Sequence, residues 1–405
     1  MTFDPKLIKK DFPQLSDVGY HYLDSASSSL VPSVVLDAVN DFYMNDKANV
    51  HRGEYATAVR ATERYEAARK DVADFINAFS DEIIFSGGAT EASNMLIRCL
   101  DESLDYKPGD EIVTSVMEHH ASILPLQQFA KRKQLILKHI PLKVDLTLDY
   151  EEAEKLITER TKLVSVMLAS NVIGTVNDLA LLARLAHAKG ALVITDATAA
   201  VGHIPVDVRA LDVDMLYFSG HKLLAPTGVG VLWMKYAIAK KLSPSEFGGH
   251  MIDEATLTSA TWAEAPTRFE AGTKDIGGVI GLGEAVRYIK HIGEANIYQH
   301  TQTLVTRAIE KLCQIKGIHI YAQRDMEKNI GMVSFTADWA HPHDIGEIVA
   351  RDNVAIRAGH HCAMPLHCEL KIKGTARASF HLYNTEEDVD ALIVAVEKAK
   401  VVFSD

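Results

Sequence analysis

Lys222 is the residue in this sequence whose position most directly suggests chemistry. It ends the segment Ser-Gly-His-Lys at 219–222, which separates two short apolar runs, 214–218 and 229–233, with the length and composition of buried strands. Burying an ammonium group is costly unless the group is paired or neutralised. A neutral lysine amine commonly serves to form a Schiff base. Taken alone, a loop lysine more often keeps its charged end in water.

Groups near this lysine match the needs of one cofactor. Ser219 and His221 are donors of the kind that hold a phosphate, and Asp196 ends another apolar run, 194–196. A pyridoxal-phosphate enzyme needs an imine-forming lysine, a carboxylate opposite the pyridine nitrogen and a phosphate cradle. The sequence therefore predicts pyridoxal 5'-phosphate as the cofactor, with Lys222, Asp196, Ser219 and His221 among its ligands.

A glycine turn at 86–88 follows the predicted strand 82–85 and leads into an apolar helical run, 92–100. Backbone N–H groups at such a helix N-terminus attract anions. A glycine turn by itself is usually only a turn. Beside Lys222, we expect this one to form the phosphate cradle, with Ala89 and Thr90 as contacts.

Two motifs together give a family resemblance. Ser-Gly-His-Lys at 219–222 and Arg-Ala-Gly-His-His-Cys-Ala-Met-Pro-Leu at 357–366 resemble the cysteine desulfurases of aminotransferase class V, in particular the SufS/CsdA group. The similarity runs from Tyr22 to the end of the chain. It implies an α/β protein of PLP-dependent transferase fold type I. Such a protein has a large domain with a mainly parallel, seven-stranded-type sheet and a smaller C-terminal α+β domain.

The order of the predicted elements independently favours a mainly parallel sheet covered by helices. Predicted strands alternate with helices as 82–85, 92–100, 111–114, 123–129, 135–137, 150–159, 163–168, 178–189 and 194–196. Ligands of such sheets bind at the carboxyl ends of strands, where Asp196 and Lys222 are placed. We expect an N-terminal segment, 1–20, packing near the small domain, a large PLP-binding domain, 21–278, and a small domain, 279–405. One helix over 279–315 should join the two domains.

Several further site residues follow from the resemblance. His119, which by position alone is as well explained as a structural residue, is expected to stack on the cofactor ring and relay protons. Asn171 is expected to contact the cofactor's phenolic oxygen. Thr273 is expected to reach across an obligate homodimer to the phosphate of the neighbouring subunit. Arg377 is expected to bind the substrate carboxylate, and Arg357 is a second candidate for the same site.

Cys362 is the predicted nucleophile. It follows Gly359, His360 and His361 in a polar loop, a setting that favours a thiolate, although cysteine is usually an inert core residue. Cys368 lacks this setting and is expected to be incidental. A spacing of six with no second pair is weak evidence for a metal site, so none is predicted.

One position departs from the family pattern. Relatives usually have a glutamine three residues after the aspartate, where it hydrogen-bonds the phenolic oxygen, and here that position is Ala199. Thr198 beside it is a candidate to compensate. Loss of this hydrogen bond is expected to alter the electronics or the rate of reaction of the imine between the cofactor and Lys222.

The resemblance implies removal of sulfur from L-cysteine to leave L-alanine. Asp196 would keep the pyridine nitrogen protonated, Lys222 would take the Cα proton, and Cys362 would attack the substrate sulfur and keep it as a persulfide. The short stretch from Cys362 to Arg377 resembles the SufS/CsdA group. It therefore implies a SufE- or SufU-like acceptor, serving iron-sulfur cluster assembly or another sulfur pathway. Alternatives are a selenocysteine lyase or cysteine-sulfinate desulfinase, another class V lyase or epimerase, and a non-catalytic sulfur carrier.

Composition and charge indicate which partners and which cellular location to expect. A net charge of −12 over 405 residues argues against a nucleic-acid partner. The sequence contains neither a signal-type apolar region nor a stretch able to span a bilayer, so no membrane association is expected and a cytoplasmic location is predicted. Four cysteines are too few for a disulfide scaffold in a chain of this length.

Overall fold

The computed structural model describes residues 3–16 and 19–403. Residues 1–2 and 17–18 of the predicted N-terminal segment, and residues 404–405 of the predicted small domain, lie outside the described residues. The helices are α1 Pro5–Ile8, α2 Ser33–Asp41, α3 Ala56–Phe75, α4 Ala89–Ser103, α5 His120–Lys133, α6 Tyr150–Leu156, α7 Leu179–His187, α8 Val208–Leu211, α9 Tyr236–Ala239, α10 Ile276–Ile292, α11 Glu294–Leu312, α12 Pro342–Arg351, α13 Met364–Glu369 and α14 Glu386–Phe403.

The strands form a large sheet, a small sheet and two short pairs. They are β1 His21–Tyr22, β2 Ile83–Ser86, β3 Glu111–Ser115, β4 Ile136–Ile140, β5 Thr161–Ser165, β6 Leu192–Asp196, β7 Met215–Ser219, β8 Gly230–Met234, β9 Ile252–Ala255, β10 Ala260–Trp262, β11 Ile318–Tyr321, β12 Met332–Ala337, β13 Val354–Ala355, β14 Arg357–Gly359 and β15 Thr375–Ser379.

The large sheet has seven strands in the order β2-β8-β7-β6-β5-β3-β4. Only β8 runs against its neighbours, and the strand pairs from β7 to β4 are parallel. Helices α5, α6, α7 and α8 lie in the connections between successive parallel strands, as parallel pairing requires. The predicted mainly parallel sheet is confirmed. Strands β3, β7 and β8 are buried along their whole length, as expected for a sheet covered on both faces.

The small sheet is antiparallel, in the order β11-β12-β15-β14, and packs against α11, α12 and α14. The chain near the N-terminus also reaches this part of the molecule, because β1 pairs with β13 and Leu23 O accepts a hydrogen bond from Ser379 N at 2.8 Å. Residues 24–29 then continue to the large sheet, where Ser29 N donates to His221 O at 2.9 Å. This turn therefore lies between the two sheets.

The prediction of one helix over 279–315 is wrong. The chain forms α10 and α11, which are separated at Gly293. Gly293 has a φ of 91°, a left-handed conformation that glycine adopts without a Cβ clash and that cannot continue an α-helix. The apolar periodicity extends through both helices because both pack on the core, so periodicity alone did not reveal the break.

A buried ion pair ties α3 to the segment that follows β10. The guanidinium of Arg69 binds the carboxylate of Glu270 with two hydrogen bonds, of 2.8 and 2.9 Å, and the two side chains are 4% and 3% exposed. Arg69 also donates to Ile83 O at 2.7 Å, and Glu270 accepts from Phe85 N at 2.7 Å. The pair thus binds two main-chain groups on the outer edge of strand β2.

We expect Glu270→Ala to lower the free energy of unfolding by about 3 kcal/mol, since it removes the buried carboxylate that pairs with Arg69 and leaves only the part-exposed Glu66 as a counter-charge. Urea denaturation followed by circular dichroism measures the loss. Glu347→Ala is the matched control. It removes a surface pair with Arg351, in which the side chains are 69% and 68% exposed, and should cost about 0.5 kcal/mol or less. Equal losses in the two variants would contradict a structural role for the buried pair.

Candidate functional site

All the predicted site residues except Cys362 and Thr273 line one cavity of about 230 Å³ between the two sheets. These residues are Ala89, Thr90, His119, Asn171, Asp196, Ser219, His221, Lys222, Arg357 and Arg377. The cavity lies where the carboxyl ends of β6 and β7 open, as expected for a mainly parallel sheet.

Lys222 follows β7 in a short 3-10 turn, Gly220–Lys222, and its side chain is buried within the cavity wall. Burial, followed by the positive charge of Arg377, lowers the pKa of Lys222 to about 8, while the carboxylate of Asp196 acts in the opposite direction. The amine is therefore still mainly protonated at neutral pH, but its neutral form is far more populated than in an exposed lysine, which favours a nucleophilic or basic role.

The carboxylate of Asp196 is held in a fixed orientation at the end of β6. One of its oxygens accepts from Ser122 Oγ at 3.0 Å, and the other accepts from Thr198 N at 2.9 Å. Ser122 Oγ in turn accepts from the buried Tyr217 hydroxyl at 2.8 Å. This chain of hydrogen bonds fixes the orientation of the carboxylate in the cavity wall.

The N-terminus of α4 forms the other end of the cavity. Ala89 N donates to Ser219 Oγ at 2.8 Å, so the helix start is tied to the end of β7. Two glycines permit this contact. Gly88 has a φ of 139°, and a Cβ on Gly230 would lie 2.5 Å from Gly88 Cα. The resulting cluster of Thr90, His221 and helix N–H groups suits a phosphate.

His119 caps helix α5. Its Nδ1 accepts a hydrogen bond from Ala121 N at 3.0 Å, so the neutral ring carries its proton on Nε2. Burial, together with the positive charge of Lys222, lowers the pKa of His119 to about 4. At neutral pH this imidazole is therefore an uncharged Nε2–H donor in the cavity wall.

The two arginines meet at the opposite wall. Arg377, on β15, is fully buried and donates to Asn171 O at 2.6 Å and to Asp24 Oδ1 at 3.2 Å. Arg357, on β14, donates to Ser27 Oγ at 2.8 Å. Burial lowers the pKa of Arg377 to about 10, so the guanidinium remains charged at neutral pH.

Cys362 lies beside this wall in the loop after β14. His361 and Cys362 have φ values of 49° and 57°, a left-handed conformation that is uncommon for residues other than glycine. The large sheet holds this loop, because His120 N donates to Cys362 O at 2.7 Å and Asn171 Nδ2 donates to His361 O at 2.8 Å. Cys362 Sγ is half-buried and lies 3.9 Å from Arg357 Nη2. The thiol is thus next to a cavity-lining guanidinium.

Thr273 is not part of this cavity. It lines a second one, of about 180 Å³, with His51, Tyr65, His250 and Glu270 among its neighbours. A single chain therefore does not bring Thr273 to Lys222. Its predicted action in the site of a neighbouring subunit stays a prediction.

Sequence reasoning missed the residues that support the site from behind. Ser122 donates to Asp196 and accepts from Tyr217, and Asp24 and Ser27 bind the arginines. In sequence, the segment containing Asp24 and Ser27 is equally well explained as an ordinary serine-rich turn. Ser122 has no sequence signal beyond its place near the start of α5.

Glu118 is a further residue of this region whose role the sequence does not indicate. It is buried, its Oε1 accepts from Ser115 Oγ at 2.6 Å and from Met167 N at 3.1 Å, and its Oε2 has no partner among the described residues. Burial raises the pKa of Glu118 from its ordinary 4.5 to about 8, and the nearby charge of Asp196 adds to this shift. Glu118 is therefore mainly protonated at neutral pH.

We expect Glu118→Gln to become more stable than the wild type as the pH rises. An acid whose pKa is raised on folding binds its proton more tightly in the folded state, so the wild type is favoured below about pH 4.5 and loses stability up to about pH 8. Glutamine mimics the protonated acid at every pH. Urea denaturation at a series of pH values measures the difference, with the exposed Glu54→Gln as control. A constant difference between Glu118→Gln and wild type would contradict the protonated state.

The cavity fits a flat, phosphate-bearing aldehyde cofactor. It provides a buried amine at Lys222, a carboxylate at Asp196 and an anion site at the N-terminus of α4. The buried Oδ1 of Asn171 and Oγ1 of Thr198 also lack partners among the described residues, so polar groups remain there for a ligand. Residues 3–16 and 19–403 contain no group of three or more side chains placed to bind a metal, and none of the helices described combines the length and apolar character needed to span a membrane.

Residues 21–392 match the family described as Aminotransferase class-V. The chain is 43% identical over 401 residues to a probable cysteine desulfurase of Halalkalibacterium halodurans, covering 98% of each sequence. It is also 43% identical over 408 residues to a probable cysteine desulfurase of Staphylococcus aureus, covering 100% of this chain and 98% of that one.

Solved structures agree with this match. The apo cysteine desulfurase of Thermococcus onnurineus superposes with a TM-score of 0.94 at 37% identity, covering 99% of this chain and 98% of that one. The cysteine desulfurase CsdA of Escherichia coli superposes with a TM-score of 0.93, also at 37% identity, covering both chains completely.

Proposed function

The chain belongs to the class-V aminotransferase family, and from this premise we propose that it is a pyridoxal-phosphate-dependent cysteine desulfurase that converts L-cysteine to L-alanine. The sulfur is kept on Cys362 and passed to an acceptor. One observation carries this proposal: a buried lysine with a lowered pKa and a loop cysteine are held around the same pair of arginines, Arg377 and Arg357.

Groups from three elements would hold the cofactor. Lys222 would supply the amine, Asp196 the carboxylate for the ring nitrogen, and the N-terminus of α4 with Thr90 and His221 the site for the phosphate. When bound, pyridoxal phosphate supplies an aldehyde that condenses with amines and a protonated ring that accepts electrons. Asp196, whose carboxylate is oriented by Ser122 and Thr198 N, would hold the proton of that ring nitrogen.

Lys222 acts as the general base at the substrate Cα. Its pKa of about 8 places it near the pH at which a base is effective. Nε2–H of the neutral His119 contributes a proton donor at the same cavity wall. The substrate carboxylate binds the guanidinium of Arg377.

Cys362 takes the sulfur. Its thiolate attacks the substrate sulfur, a sulfur–sulfur bond forms, the Cβ–sulfur bond breaks, and the electron pair left at carbon takes up a proton. L-Alanine and an enzyme persulfide result, so atoms and charge balance. Arg357 Nη2 lies 3.9 Å from Cys362 Sγ and so places a hydrogen-bond donor beside the nucleophile.

A homodimer with shared sites and a SufE- or SufU-like acceptor belong to the same proposal. Thr273 lines a second cavity instead of the one around Lys222, which is consistent with a residue that serves the site of a neighbouring subunit. Ala199 lines the cavity next to Thr198, whose hydroxyl lacks a partner among the described residues. We propose that this hydroxyl replaces the glutamine of relatives. The domain boundaries and the cytoplasmic location stay predictions.

The test is the stoichiometry of the products. Purified protein is incubated with L-cysteine and dithiothreitol, and alanine and sulfide are measured. Equimolar products support the desulfurase, since the reductant releases the persulfide sulfur as sulfide. A yellow, cofactor-loaded protein that forms no alanine, even with a SufE- or SufU-type acceptor present, would contradict it.

A further inference from the structure

We infer that Ser27 is a positioning residue for the carboxylate of the amino-acid substrate, because its hydroxyl ties Arg357 and Arg377 into one site. This inference rests on the proposed function and adds to it a residue that determines which ligands are accepted. Ser27 lines the cavity together with both arginines.

The hydroxyl of Ser27 is the common partner of three charged side chains. Its Oγ accepts from Arg357 Nη1 at 2.8 Å and from Arg377 Nη2 at 3.1 Å, and it donates to Asp24 Oδ1 at 2.7 Å. A hydroxyl has one donor and two acceptor sites, so this arrangement uses all of them. No other side-chain hydroxyl in the described part of the chain bonds to both arginines.

The two guanidiniums need such a link. Each repels the other, and the charge of Arg357 contributes to the lowered pKa of Arg377. Arg377 is fixed by its buried strand and by Asn171 O, whereas Arg357 is only half-buried. A long side chain that is not held loses rotamer entropy when it binds a ligand, so a fixed hydroxyl reduces that cost.

The charges around Ser27 indicate the class of ligand. Two guanidiniums face one carboxylate, that of Asp24, which leaves one positive charge without a partner in this cluster. A single α-carboxylate would balance it and match the planar donors of a guanidinium. Arg357 also reaches Cys362 Sγ, so holding Arg357 places the carboxylate site and the nucleophile in a fixed relation.

The backbone holds Ser27 in place for this role. Ser27 N donates to Asp24 O at 3.0 Å, and the Tyr22 hydroxyl donates to Ser28 O at 2.7 Å. The same turn is attached to the small sheet through Ala26 N, which donates to Ser379 Oγ at 2.9 Å. The position of the hydroxyl is therefore set by both sheets.

The experiment compares two ligands of the cofactor-loaded enzyme: L-alanine, and L-alaninamide, in which a neutral amide replaces the carboxylate. Dissociation constants are read from the change in the cofactor's absorbance for wild type, Ser27→Ala, Ser27→Thr and Ser25→Ala. Ser25 is the matched control, because it lies in the same turn and bonds to the Tyr383 hydroxyl at 2.8 Å rather than to either arginine.

We expect Ser27→Ala to weaken L-alanine binding about tenfold and to leave L-alaninamide binding unchanged, since a hydrogen bond to a charged group is lost. Ser27→Thr keeps the hydroxyl and should bind L-alanine like the wild type, as should Ser25→Ala. Unchanged L-alanine binding in Ser27→Ala, an equal loss for both ligands, or a wild type without preference for L-alanine would each overturn the inference. Binding of L-alanine requires no sulfur transfer. A failed desulfuration assay would therefore contradict the proposed function, but the comparison of L-alanine with L-alaninamide would still test the role of Ser27.

Discussion

Lys222→Ala should lower the rate of alanine formation from L-cysteine by about 10⁴-fold, because it removes the base that takes the Cα proton. It should also remove the covalent attachment of the cofactor, so the purified variant should lack the yellow absorbance of the wild type. Lys222→Arg is expected to be nearly as inactive, since a guanidinium keeps its proton at any pH the enzyme tolerates and cannot act as a neutral amine. Chromatographic detection of alanine and the visible absorption spectrum measure these effects.

The control for this prediction is Lys240→Ala, which removes an exposed lysine at the end of α9 and should leave both rate and spectrum unchanged. The absorbance reports attachment of the cofactor, and the rate of alanine formation reports catalysis. If Lys222→Ala keeps both the yellow absorbance and the rate of the wild type, another amine attaches the cofactor and the assignment of Lys222 is wrong. If only the absorbance persists, the lysine acts as a base without being the point of attachment.

The residues at strand ends were predictable because the position of a parallel strand end follows from local sequence. Asp196 and Lys222 each follow an apolar run, and adjacent parallel strands, β6 and β7, bring these ends together. The same argument applies to Ala89, because Gly88 and the start of an apolar helical run mark the helix N-terminus. These features depend on short stretches of chain, which one sequence displays fully.

Ser27 could not be predicted in this way. Its hydrogen-bond partners Arg357 and Arg377 lie 330 and 350 residues further along the chain. The contact depends on β1 pairing with β13, a two-residue strand pair that carries almost no sequence signal. The role of a serine in a polar turn becomes visible only when the two sheets are placed against each other.

Gly293 and Glu118 show two other features that local sequence patterns do not predict. A glycine at position 293 is compatible with a helix end, but the apolar periodicity continues on both sides of it and favours a single helix. The protonated state of Glu118 depends on complete burial and on the nearby Asp196, neither of which follows from its own neighbours in sequence. Burial of a polar group is a tertiary property, and sequence patterns predict it poorly.

Cys362→Ala should lower alanine formation from L-cysteine by about 10³-fold or more, since loss of a nucleophile removes the step that breaks the Cβ–sulfur bond. Unlike Lys222→Ala, this variant should keep the yellow absorbance and bind L-alanine like the wild type, because the sulfur of Cys362 lies beside the cavity rather than in its lining. Wild type treated with L-cysteine and no reductant should gain the mass of one sulfur atom on the peptide that contains Cys362. The variant should gain none.

Cys368→Ala provides the matched control. Cys368 is an exposed cysteine on α13, six residues from Cys362, and it should be dispensable for the rate and for the added mass. L-Selenocysteine as a second substrate distinguishes a cysteine desulfurase from a selenocysteine lyase. If Cys362→Ala is inactive with L-cysteine but active with L-selenocysteine, Cys362 is needed only when the substrate carries sulfur. If the variant keeps full activity with L-cysteine, Cys362 is not the nucleophile. In that case the guanidinium of Arg357 serves the carboxylate alone, and the 3.9 Å approach of its Nη2 to Cys362 Sγ has no part in the reaction.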